Sequence, residues 1–281
     1  MININLEKCT GCGLCVKDCQ KNDIIMKDNK VVPLNSTCLS CGHCIAICPQ
    51  NAVSIDIYDM NEVKEYGINE FKIESEKLLN FIKYRRSIRQ FKNILVEKEK
   101  IEMIIEAGRF TPTGGNRQHL SYLVIQENLQ DLAKITLEVL YEYANNAELI
   151  DKDNLNLNGI KKYANVWKIL KEKFENGIDE LFFNAPAMIV VLSDERLSLS
   201  PVVDGAIDGS LAASNMELMA NALKLGSCYN GFFSFASNDS VIRNYLKIPD
   251  NKKVVTSLLI GYSDLKYFRT VPRKKADIQW K

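Results

Sequence analysis

Hydrophobic and polar residues alternate along two short stretches near the start of the chain, residues 2–6 and residues 53–57. A period of two places every second side chain on the same face, which is the pattern of a half-buried β-strand. Three longer apolar runs, at 121–126, 187–193 and 254–260, predict further strands. The predicted strands therefore fall in two separate regions of the chain.

Helical spacing lies between the later strands. Residues 97–110 place Ile101, Ile104 and Ile105 on one face, and residues 127–183 are helical in pattern and rich in Asn, Lys and Glu. The long second stretch points to no particular chemistry. Strands interleaved with helices predict a mixed domain in this part of the chain.

The most informative predicted helix is the stretch DGAIDGSLAASNMELMANALKLGS, residues 204–227. Glu217 is its only charge between Asp208 and Lys224, and leucine, methionine and alanine lie around the whole cylinder. A helix that is apolar all round is expected to be buried on all sides. The pattern leaves open whether it lies at the centre of one domain or between two subunits.

Eight of the nine cysteines form an internal repeat. Each member of the second group lies 29 residues after its counterpart in the first, and both groups have the spacing Cys-x2-Cys-x2-Cys-x3-Cys: Cys9, Cys12, Cys15, Cys19 and Cys38, Cys41, Cys44, Cys48. This is the bacterial iron-sulfur run, in which three thiolates of one loop hold one cluster and the fourth cysteine serves the other. We therefore predict one 4Fe-4S cluster on Cys9, Cys12, Cys15 and Cys48, and another on Cys38, Cys41, Cys44 and Cys19.

Two alternatives for the cysteines are weaker. Structural zinc usually takes two separated Cys-x2-Cys pairs, so the third closely spaced cysteine of each group is surplus. A disulfide framework needs an oxidising compartment, and the opening residues MININLEKC contain no apolar signal segment. We expect Gly11, Gly13 and Gly42 to let the backbone approach sulfur closely, and the first loop to be looser because Gln20 stands where the second has Pro49.

Residues 1–60 resemble a two-cluster bacterial ferredoxin. The chain has 281 residues, so a second domain is expected at 79–281, with 61–78 as a connecting segment.

With 46% hydrophobic and 25% charged residues and a net charge of +1, the composition is that of an ordinary globular protein and gives no indication of a nucleic-acid partner. The longest apolar run, 185–192, is too short to cross a membrane. We expect a cytoplasmic protein.

Iron-sulfur clusters carry electrons singly, whereas reduction of an organic substrate commonly takes two. A flavin can accept electrons singly and deliver them in pairs.

Residues 84–91, YRRSIRQF, place three arginines and a serine together and could clamp a phosphate, although a basic stretch is more often a solvated helix face. Residues 111–119, TPTGGNRQH, offer glycines and polar side chains, with a surface turn as the alternative. Gly226, which opens GSCYNG, is predicted to cap the preceding helix.

The order of these motifs, followed by GYSDLKYFRTVPRKK, resembles the nitroreductase family of FMN enzymes over residues 79–281. The resemblance implies an α+β fold and an intertwined homodimer with FMN at the subunit interface. It assigns Arg85, Arg86, Ser87 and Arg89 to the FMN phosphate and nearby ring oxygens. It assigns the flavin pyrimidine to a set of polar and glycine residues: Thr113, Gly115, Asn116 and Gln118. Backbone N–H groups of Asn230 and Gly231 are assigned to the N5 and O4 edge of the flavin ring. Three basic residues near the C-terminus are assigned to the phosphate: Arg269, Arg273 and Lys274.

Three remaining side chains receive no catalytic role. His43 is predicted to be an exposed spacer and Cys228 a buried small hydrophobe. His119 stands where the family often has proline or an apolar residue, and a structural role is favoured over contact with substrate or flavin. No catalytic residue is predicted, because the flavin itself carries out the chemistry in this family.

The motifs together predict a flavin-dependent oxidoreductase. Electrons from an external low-potential donor, such as a reduced ferredoxin or flavodoxin, would pass through two clusters to FMN and on to a nitroaromatic, quinone or similar electrophilic small molecule. The absence of a Gly-x-Gly-x-x-Gly run argues against a dedicated nicotinamide domain. The alternative is an electron-transfer or redox-sensing protein that turns over no organic substrate.

Overall fold

The computed structural model describes residues 1–146, 157–197 and 204–281, and it divides them into two compact units. The first unit comprises Met1–Glu74 together with Gly114–Arg117. The second comprises Ser75–Thr113 and Gln118–Lys281. Part of the helical stretch predicted over 127–183 lies outside the described residues.

The first unit is a pair of two-stranded antiparallel sheets with short helices. Strand β1 pairs with β4 and β2 with β3. The alternation at 2–6 and 53–57 correctly predicts β1 and β4 as strands, whereas their pairing was not predicted. The elements are β1 (Ile2–Ile4), α1 (Leu14–Asp18), β2 (Ile24–Lys27), β3 (Lys30–Pro33), α2 (His43–Ala46), β4 (Val53–Ile55), a 3-10 turn (Met60–Glu62) and α3 (Ile68–Phe71).

The 29-residue repeat is also a structural repeat. The Asn5 amide N–H donates to the Ala52 carbonyl at 2.8 Å, and the equivalent Leu34 N–H donates to the Asp23 carbonyl at the same distance. The same turn follows the fourth cysteine of each group. The Asn22 N–H donates to the Cys19 carbonyl, and the Asn51 N–H donates to the Cys48 carbonyl. The missing proline therefore does not prevent the first turn.

The glycines of the cysteine loops take a left-handed backbone. Gly13 and Gly42 precede α1 and α2 with φ of 73° and 75°, and a Cβ on either would meet no protein atom beyond its chain neighbours within 4 Å. The positive φ by itself favours glycine at these two positions. Gly11 combines φ of 70° with a backbone contact, because its Cβ would lie 2.5 Å from the Asn29 oxygen.

The second unit is a four-stranded antiparallel sheet in the order β5-β6-β8-β7, covered by helices. Its elements are α4 (Ser75–Tyr84), α5 (Lys98–Arg109), β5 (Leu120–Ile125), α6 (Leu129–Asn145), α7 (Leu157–Glu175), β6 (Ala187–Asp194), α8 (Asp204–Ala222), β7 (Gly226–Tyr229), α9 (Gly231–Ala236), α10 (Ser240–Tyr245) and β8 (Lys252–Gly261). The strands predicted at 121–126, 187–193 and 254–260 are β5, β6 and β8. Strand β7 was not expected from the sequence.

Both faces of this sheet are covered, which explains why β6 is apolar without alternation. All eight residues of β6 are buried. Ile189 faces a core with Ile104 of α5 and Met216 of α8, while Val190 faces the opposite core, which contains Trp167 and Phe233. A strand buried on both faces has no polar positions to show a period of two.

Helix α8 is not buried on all sides within one chain. Ala213 and Met216 are fully buried against the sheet, whereas Ile207 and Leu211 are 53% and 47% exposed. The sequence prediction of uniform burial is therefore wrong for the single chain, because apolar residues also cover the outer face of this helix.

The end of α8 also differs from the prediction. Lys224, with φ of 61°, takes the left-handed position after the helix, and the Leu225 N–H donates to the Ala220 carbonyl at 2.8 Å. Gly226 is not the cap. It opens β7 at a point where a Cβ would lie 2.6 Å from Cγ1 of Ile88, so glycine is required by close packing.

Replacement of Gly226 by alanine is therefore expected to lower the free energy of unfolding by about 1–3 kcal/mol, because the new methyl group overpacks against Ile88. Urea unfolding measures the change. The matched control is Gly231→Ala, since a Cβ at Gly231 meets no atom within 4 Å. Equal stability of the two variants would show that the contact with Ile88 carries no cost.

His119 and Cys228 lie inside the second unit. Nδ1 of His119 is 2.9 Å from Oγ of Ser193, and Nε2 is 2.9 Å from a carboxylate oxygen of Asp208. This places the ring between β6 and the start of α8, as a structural histidine. Cys228 is 2% exposed, as predicted for a small buried residue.

Asp194 at the end of β6 provides a pH-dependent contribution to stability. The Arg196 guanidinium first, then the Asn251 amide, hold the pKa of this carboxyl well below its usual range. A lowered folded-state pKa stabilises the fold above the unfolded-state pKa, and the contribution is lost as pH falls. We expect the stability difference between the wild type and Asp194→Asn to shrink as pH falls from about 5 to about 2. A difference that is constant in urea unfolding across this range would contradict the assignment.

Within the described part of the chain, no helix combines the length and apolar character needed to cross a membrane.

Candidate functional site

The first unit contains two small cavities, each lined by four cysteines. One is surrounded by Cys9, Cys12, Cys15 and Cys48, and the other by Cys19, Cys38, Cys41 and Cys44. The structure thus groups three cysteines of each loop with the fourth cysteine of the other loop, which is the grouping that crossed ligation requires. Apolar side chains complete the walls, among them Ile4 and Val53 in the first cavity and Ile24 and Ile55 in the second.

The cysteine sulfurs surround a space and do not converge on a point. Among the described residues, no group of three or more His, Cys, Asp or Glu side chains is placed to hold a single metal ion. A tetrahedral zinc site needs its ligands within about 2.3 Å of one centre, whereas a cuboidal cluster holds them much further apart. The donor set and its spacing therefore fit a cluster better than a single ion.

Short helices and backbone donors position the cysteines. Cys15 on α1 and Cys44 on α2 point inward, and burial raises the pKa of the Cys44 thiol to about 11 and that of Cys15 less strongly. Backbone N–H groups of Asp23 and Ala52 donate to the sulfurs of Cys19 and Cys48, both at 3.3 Å. Such donors to sulfur are among the features that set cluster potentials.

The second unit positions the arginine motif along its sheet. The Ile88 N–H donates to the Ser227 carbonyl at 2.9 Å, and the Lys92 N–H donates to the Tyr262 carbonyl at 2.8 Å. Ser87 also forms a β-bridge with Ser227. Residues 85–91 are therefore not helical, and isolated bridges and single backbone bonds hold them beside the sheet. The alternative of a solvated helix face does not apply to these arginines.

A cavity of about 280 Å³ opens beside this segment. Four of its lining side chains are basic and none is acidic: Arg85, Arg86, Lys224 and Lys266. The remaining wall includes Ile88, Leu225 and Gly226. A pocket with this surplus of positive charge is suited to an anionic ligand.

Arg86 is the most informative residue of the cavity. Its Nη1 donates to the carbonyls of Lys83 and Arg85, at 2.9 and 2.5 Å. Nε and Nη2 are buried and have no hydrogen-bond partner among the described residues. Buried guanidinium donors are rarely left unpaired, because each unmade bond costs about 1–3 kcal/mol. Arg86 lines the cavity, so an oxygen of a bound ligand could pair with these donors.

Arg85 is instead fixed by Glu217 of α8. Its Nη1 lies 2.8 Å from Oε1 of the carboxylate, and both groups are largely shielded from solvent. Burial raises the pKa of Glu217, and the positive charge of Arg85 opposes that rise. The single charge of the apolar helix therefore holds one arginine of the motif in place.

Arg89 lies beside the buried Cys228. Burial raises the pKa of the Cys228 thiol, while the nearby Arg89 lowers it to a lesser extent. Arg89 is exposed and lies outside the wall of the cavity that Arg85 and Arg86 line. Ser87 is held by its bridge to Ser227 and likewise does not line that cavity.

The predicted pyrimidine segment forms a closed turn. The Gln118 N–H donates to Oγ1 of Thr113 at 3.0 Å, and Gly115 has φ of 61°. Residues 114–117 belong to the first unit, where the Asn116 amide donates to the carbonyls of Leu39 and Ser40, at 3.1 and 2.9 Å. The donor capacity of Asn116 is thus already used by the loop between Cys38 and Cys41.

The side chain of Asn230 has a structural role. Its Oδ1 accepts from the Phe233 N–H and caps α9, while its Nδ2 donates to the Leu181 carbonyl at 2.8 Å. The Asn230 N–H donates to the Ser257 carbonyl at 3.2 Å, so it is not directed at a ligand as the resemblance implied. Gly231, the first residue of α9, has open space around its Cα.

The structure does not bring the C-terminal basic residues to the cavity. Arg269, Arg273 and Lys274 are exposed, and the cavity wall ends at Tyr267. Lys224, Lys266 and Glu217 take part in the site without having been predicted. Glu217 had a signal in the sequence, since it is the only charge on an apolar helix, whereas nothing distinguished the two lysines from surface residues.

Two regions of the chain match families of known proteins. Residues 82–262 match the nitroreductase family, and residues 1–49 match a 4Fe-4S dicluster domain. An Archaeoglobus fulgidus protein provisionally named NADH dehydrogenase/NAD(P)H nitroreductase is 27% identical over 66% of this chain and 86% of its own length. An NADPH-dependent oxidoreductase of Staphylococcus aureus is 23% identical over 66% of this chain and 65% of its own length.

The crystal structures of two nitroreductases with bound FMN share the fold. The protein from Bacteroides fragilis has a TM-score of 0.51 and 22% identity, covering 72% of this chain and 98% of its own. The protein from Desulfitobacterium hafniense has the same score and identity, covering 72% and 97%. The predicted α+β fold is confirmed. A 4Fe-4S dicluster domain forms the N-terminal part of the chain. The nitroreductase match covers well over half of the chain, so the chain belongs to the nitroreductase family.

Proposed function

We propose that this protein is a flavin-dependent oxidoreductase with FMN and two 4Fe-4S clusters as resident cofactors. It takes electrons from an external low-potential donor, such as a reduced ferredoxin or flavodoxin, and delivers them to a nitroaromatic, quinone or similar electrophilic small molecule. The observation that carries the flavin assignment is the pair of buried, unpartnered donors of Arg86 in a cavity with basic walls.

The residues of the cavity fit the anionic part of FMN. Nε and Nη2 of Arg86 supply two parallel donors, which is the fork geometry that binds phosphate or paired ring oxygens. Lys224 and Lys266 add positive charge, and Glu217 keeps Arg85 oriented. When bound, the flavin supplies the connection between one-electron and two-electron transfer.

The eight cysteines fit two clusters by the same reasoning. Each four-cysteine set lines its own cavity, and each set contains one buried cysteine on a short helix. Thiolate ligands in this number and spacing are the donors that cuboidal iron-sulfur clusters require. Carriers of this kind and free thiols suit a reducing compartment, so we place the protein in the cytoplasm.

The working form is proposed to be a homodimer. The outer face of α8 exposes Ile207 and Leu211, and α4 contains no buried residue although Leu78, Leu79 and Ile82 are apolar. A second copy of the chain would remove these side chains from water, and the small residues of α8 allow close approach of two helices. This is the subunit-interface alternative for the apolar helix.

The test is anaerobic reduction of the reconstituted holoprotein, with iron, sulfide and flavin quantified. We expect chemically reduced ferredoxin to bleach the cluster absorption and then the flavin absorption, followed by reduction of a nitroaromatic and a quinone. Rapid reduction of the flavin by NADPH, without any reduction of the clusters by ferredoxin, would overturn the electron route. Reducible cofactors without turnover across nitro compounds, quinones and enones would favour the electron-transfer or sensing alternative.

A further inference from the structure

The two cysteine loops differ in side chain at one buried position beside the fourth cysteine of each group. Asp23 is the fourth residue after Cys19, and Ala52 is the fourth residue after Cys48, 29 positions later. Both backbone N–H groups donate to the preceding cysteine sulfur at 3.3 Å, and both carbonyls accept the equivalent 2.8 Å bond from the other copy of the repeat. At this pair of positions the backbones match, so the difference there lies in the side chains. Elsewhere the loops differ in backbone bonds, since the Ser40 N–H donates to the Cys38 sulfur at 3.3 Å and no equivalent bond to the Cys9 sulfur forms among the described residues.

The Asp23 side chain caps the turn that leads into the second cysteine loop. Its Oδ1 accepts from the N–H and hydroxyl of Ser36, at 2.9 and 2.7 Å, and from the N–H of Thr37 at 3.0 Å. Cys38 follows directly. Hydrogen bonds donated to a carboxylate favour its charged form. Asp23 is therefore a buried negative charge that is joined to Cys19 through its backbone N–H and to the turn before Cys38 through its carboxylate. Asp23 does not itself line the cavity of these two cysteines, whereas the exposed Lys21 does.

In the first loop a neutral side chain caps the turn that leads into the cysteines. The equivalent turn before Cys9 is capped by Asn5, whose Oδ1 accepts from the N–H groups of Glu7 and Lys8, at 3.0 and 3.1 Å. Asn5 is exposed, whereas Asp23 is 1% exposed, and Oδ2 of Asp23 has no partner among the described residues. The turn before Cys38 is thus capped by a buried carboxylate, and the turn before Cys9 is capped by an exposed amide.

We propose that Asp23 makes the two clusters unequal by lowering the reduction potential of the one held by Cys19, Cys38, Cys41 and Cys44. Each cluster gains one electron from the external donor, and no bond forms or breaks. A nearby negative charge opposes the added electron, most strongly where water does not screen it. The first electron then resides on the cluster of Cys9, Cys12, Cys15 and Cys48.

This inference rests on the proposed cofactor content, and it deepens the proposed function by assigning an order of reduction. Asp23 does not ligate a cluster. It acts as a positioning residue for Cys38 through the Ser36–Thr37 turn and as a fixed charge, and the second role can be separated from the first by substitution. Asn at this position keeps an acceptor oxygen for the turn and removes the charge.

The experiment is an EPR-monitored redox titration of the reconstituted full chain. The wild type is expected to show two resolved one-electron midpoints. Asp23→Asn should raise only the lower one, on the order of tenfold in the ratio of reduced to oxidised cluster, or about 59 mV for one electron. Asn5→Asp should lower only the upper one, by less, because Asn5 is exposed. Asp28→Asn is the matched control, since Asp28 is exposed and its loss should leave both midpoints unchanged.

A single shared midpoint in the wild type would overturn the inference, as would an Asp23→Asn variant with both midpoints unchanged. If this variant does not assemble its clusters, the wild-type curve and Asn5→Asp decide the matter, and an unmoved upper midpoint in Asn5→Asp counts against it. Iron and sulfide analysis keeps the two proposals distinct. A chain without two clusters refutes the proposed function, whereas two clusters that do not respond to Asp23 refute this inference alone.

Discussion

Replacement of Cys19 by serine is expected to remove one of the two clusters, and the lost one should be that of the second cysteine loop. Cys19 lines the cavity of Cys38, Cys41 and Cys44 although it follows the first loop in sequence. Serine offers a harder oxygen in place of a soft thiolate, so the cluster loses a ligand. Iron should fall from about eight to about four atoms per chain.

The residual EPR spectrum identifies which cluster remains. Under crossed ligation, Cys19→Ser should match Cys41→Ser and differ from Cys12→Ser. Cys228→Ser is the control, because Cys228 lies in the second unit and should leave both clusters in place. A Cys19→Ser spectrum that matches Cys12→Ser would show that each cluster is held by four consecutive cysteines, which contradicts the grouping in the structure.

Replacement of Arg86 by alanine is expected to weaken FMN binding about 100-fold. Its two buried donors would each form a hydrogen bond with charge on both partners, worth about 1.5–3 kcal/mol, and the loss of about 3 kcal/mol is a factor of about 100 in the dissociation constant. Fluorescence titration of the flavin-free protein with FMN measures the change. Arg86→Lys should give an intermediate loss, because lysine keeps the charge but not the fork.

Arg109 provides the matched control for this prediction. It is an exposed arginine of the same unit, and its guanidinium pairs with Glu106 one turn away on α5. Arg109→Ala should therefore leave FMN affinity within about twofold of the wild type, since Arg109 does not line the cavity and exposed ion pairs contribute little. Equal affinities of Arg86→Ala and Arg109→Ala would mean that the phosphate is bound elsewhere on the chain.

Local pattern predicted much of the architecture. Alternation identified β1 and β4, apolar runs identified β5, β6 and β8, and helical spacing identified α5. These signals are strong because burial imposes a period on the side chains. Strand β7 was not predicted from the sequence, because it has only four residues. It is recognised by its pairing with β8, which is a contact between distant parts of the chain.

The candidate site was predictable to a smaller extent. The cysteine grouping follows from spacing, because the loops are short and repeat. The role of Gly226 does not follow from its neighbours in sequence, since the residue that requires it, Ile88, lies far away along the chain. The pairing of Arg85 with Glu217 is equally non-local. Positive φ at Lys224 also breaks the usual association of glycine with helix ends, so composition alone indicated the wrong residue.

The burial of Cys228 has a practical consequence for handling the protein. It is the only one of nine cysteines outside the cluster loops, and its thiol is both shielded and reluctant to ionise. Alkylating reagents attack the thiolate, so this position should be almost inert in the native state. The number of mass tags gained by a native sample therefore counts sulfurs released by cluster decay, and the oxygen damage of a preparation can be monitored without a correction for background labelling.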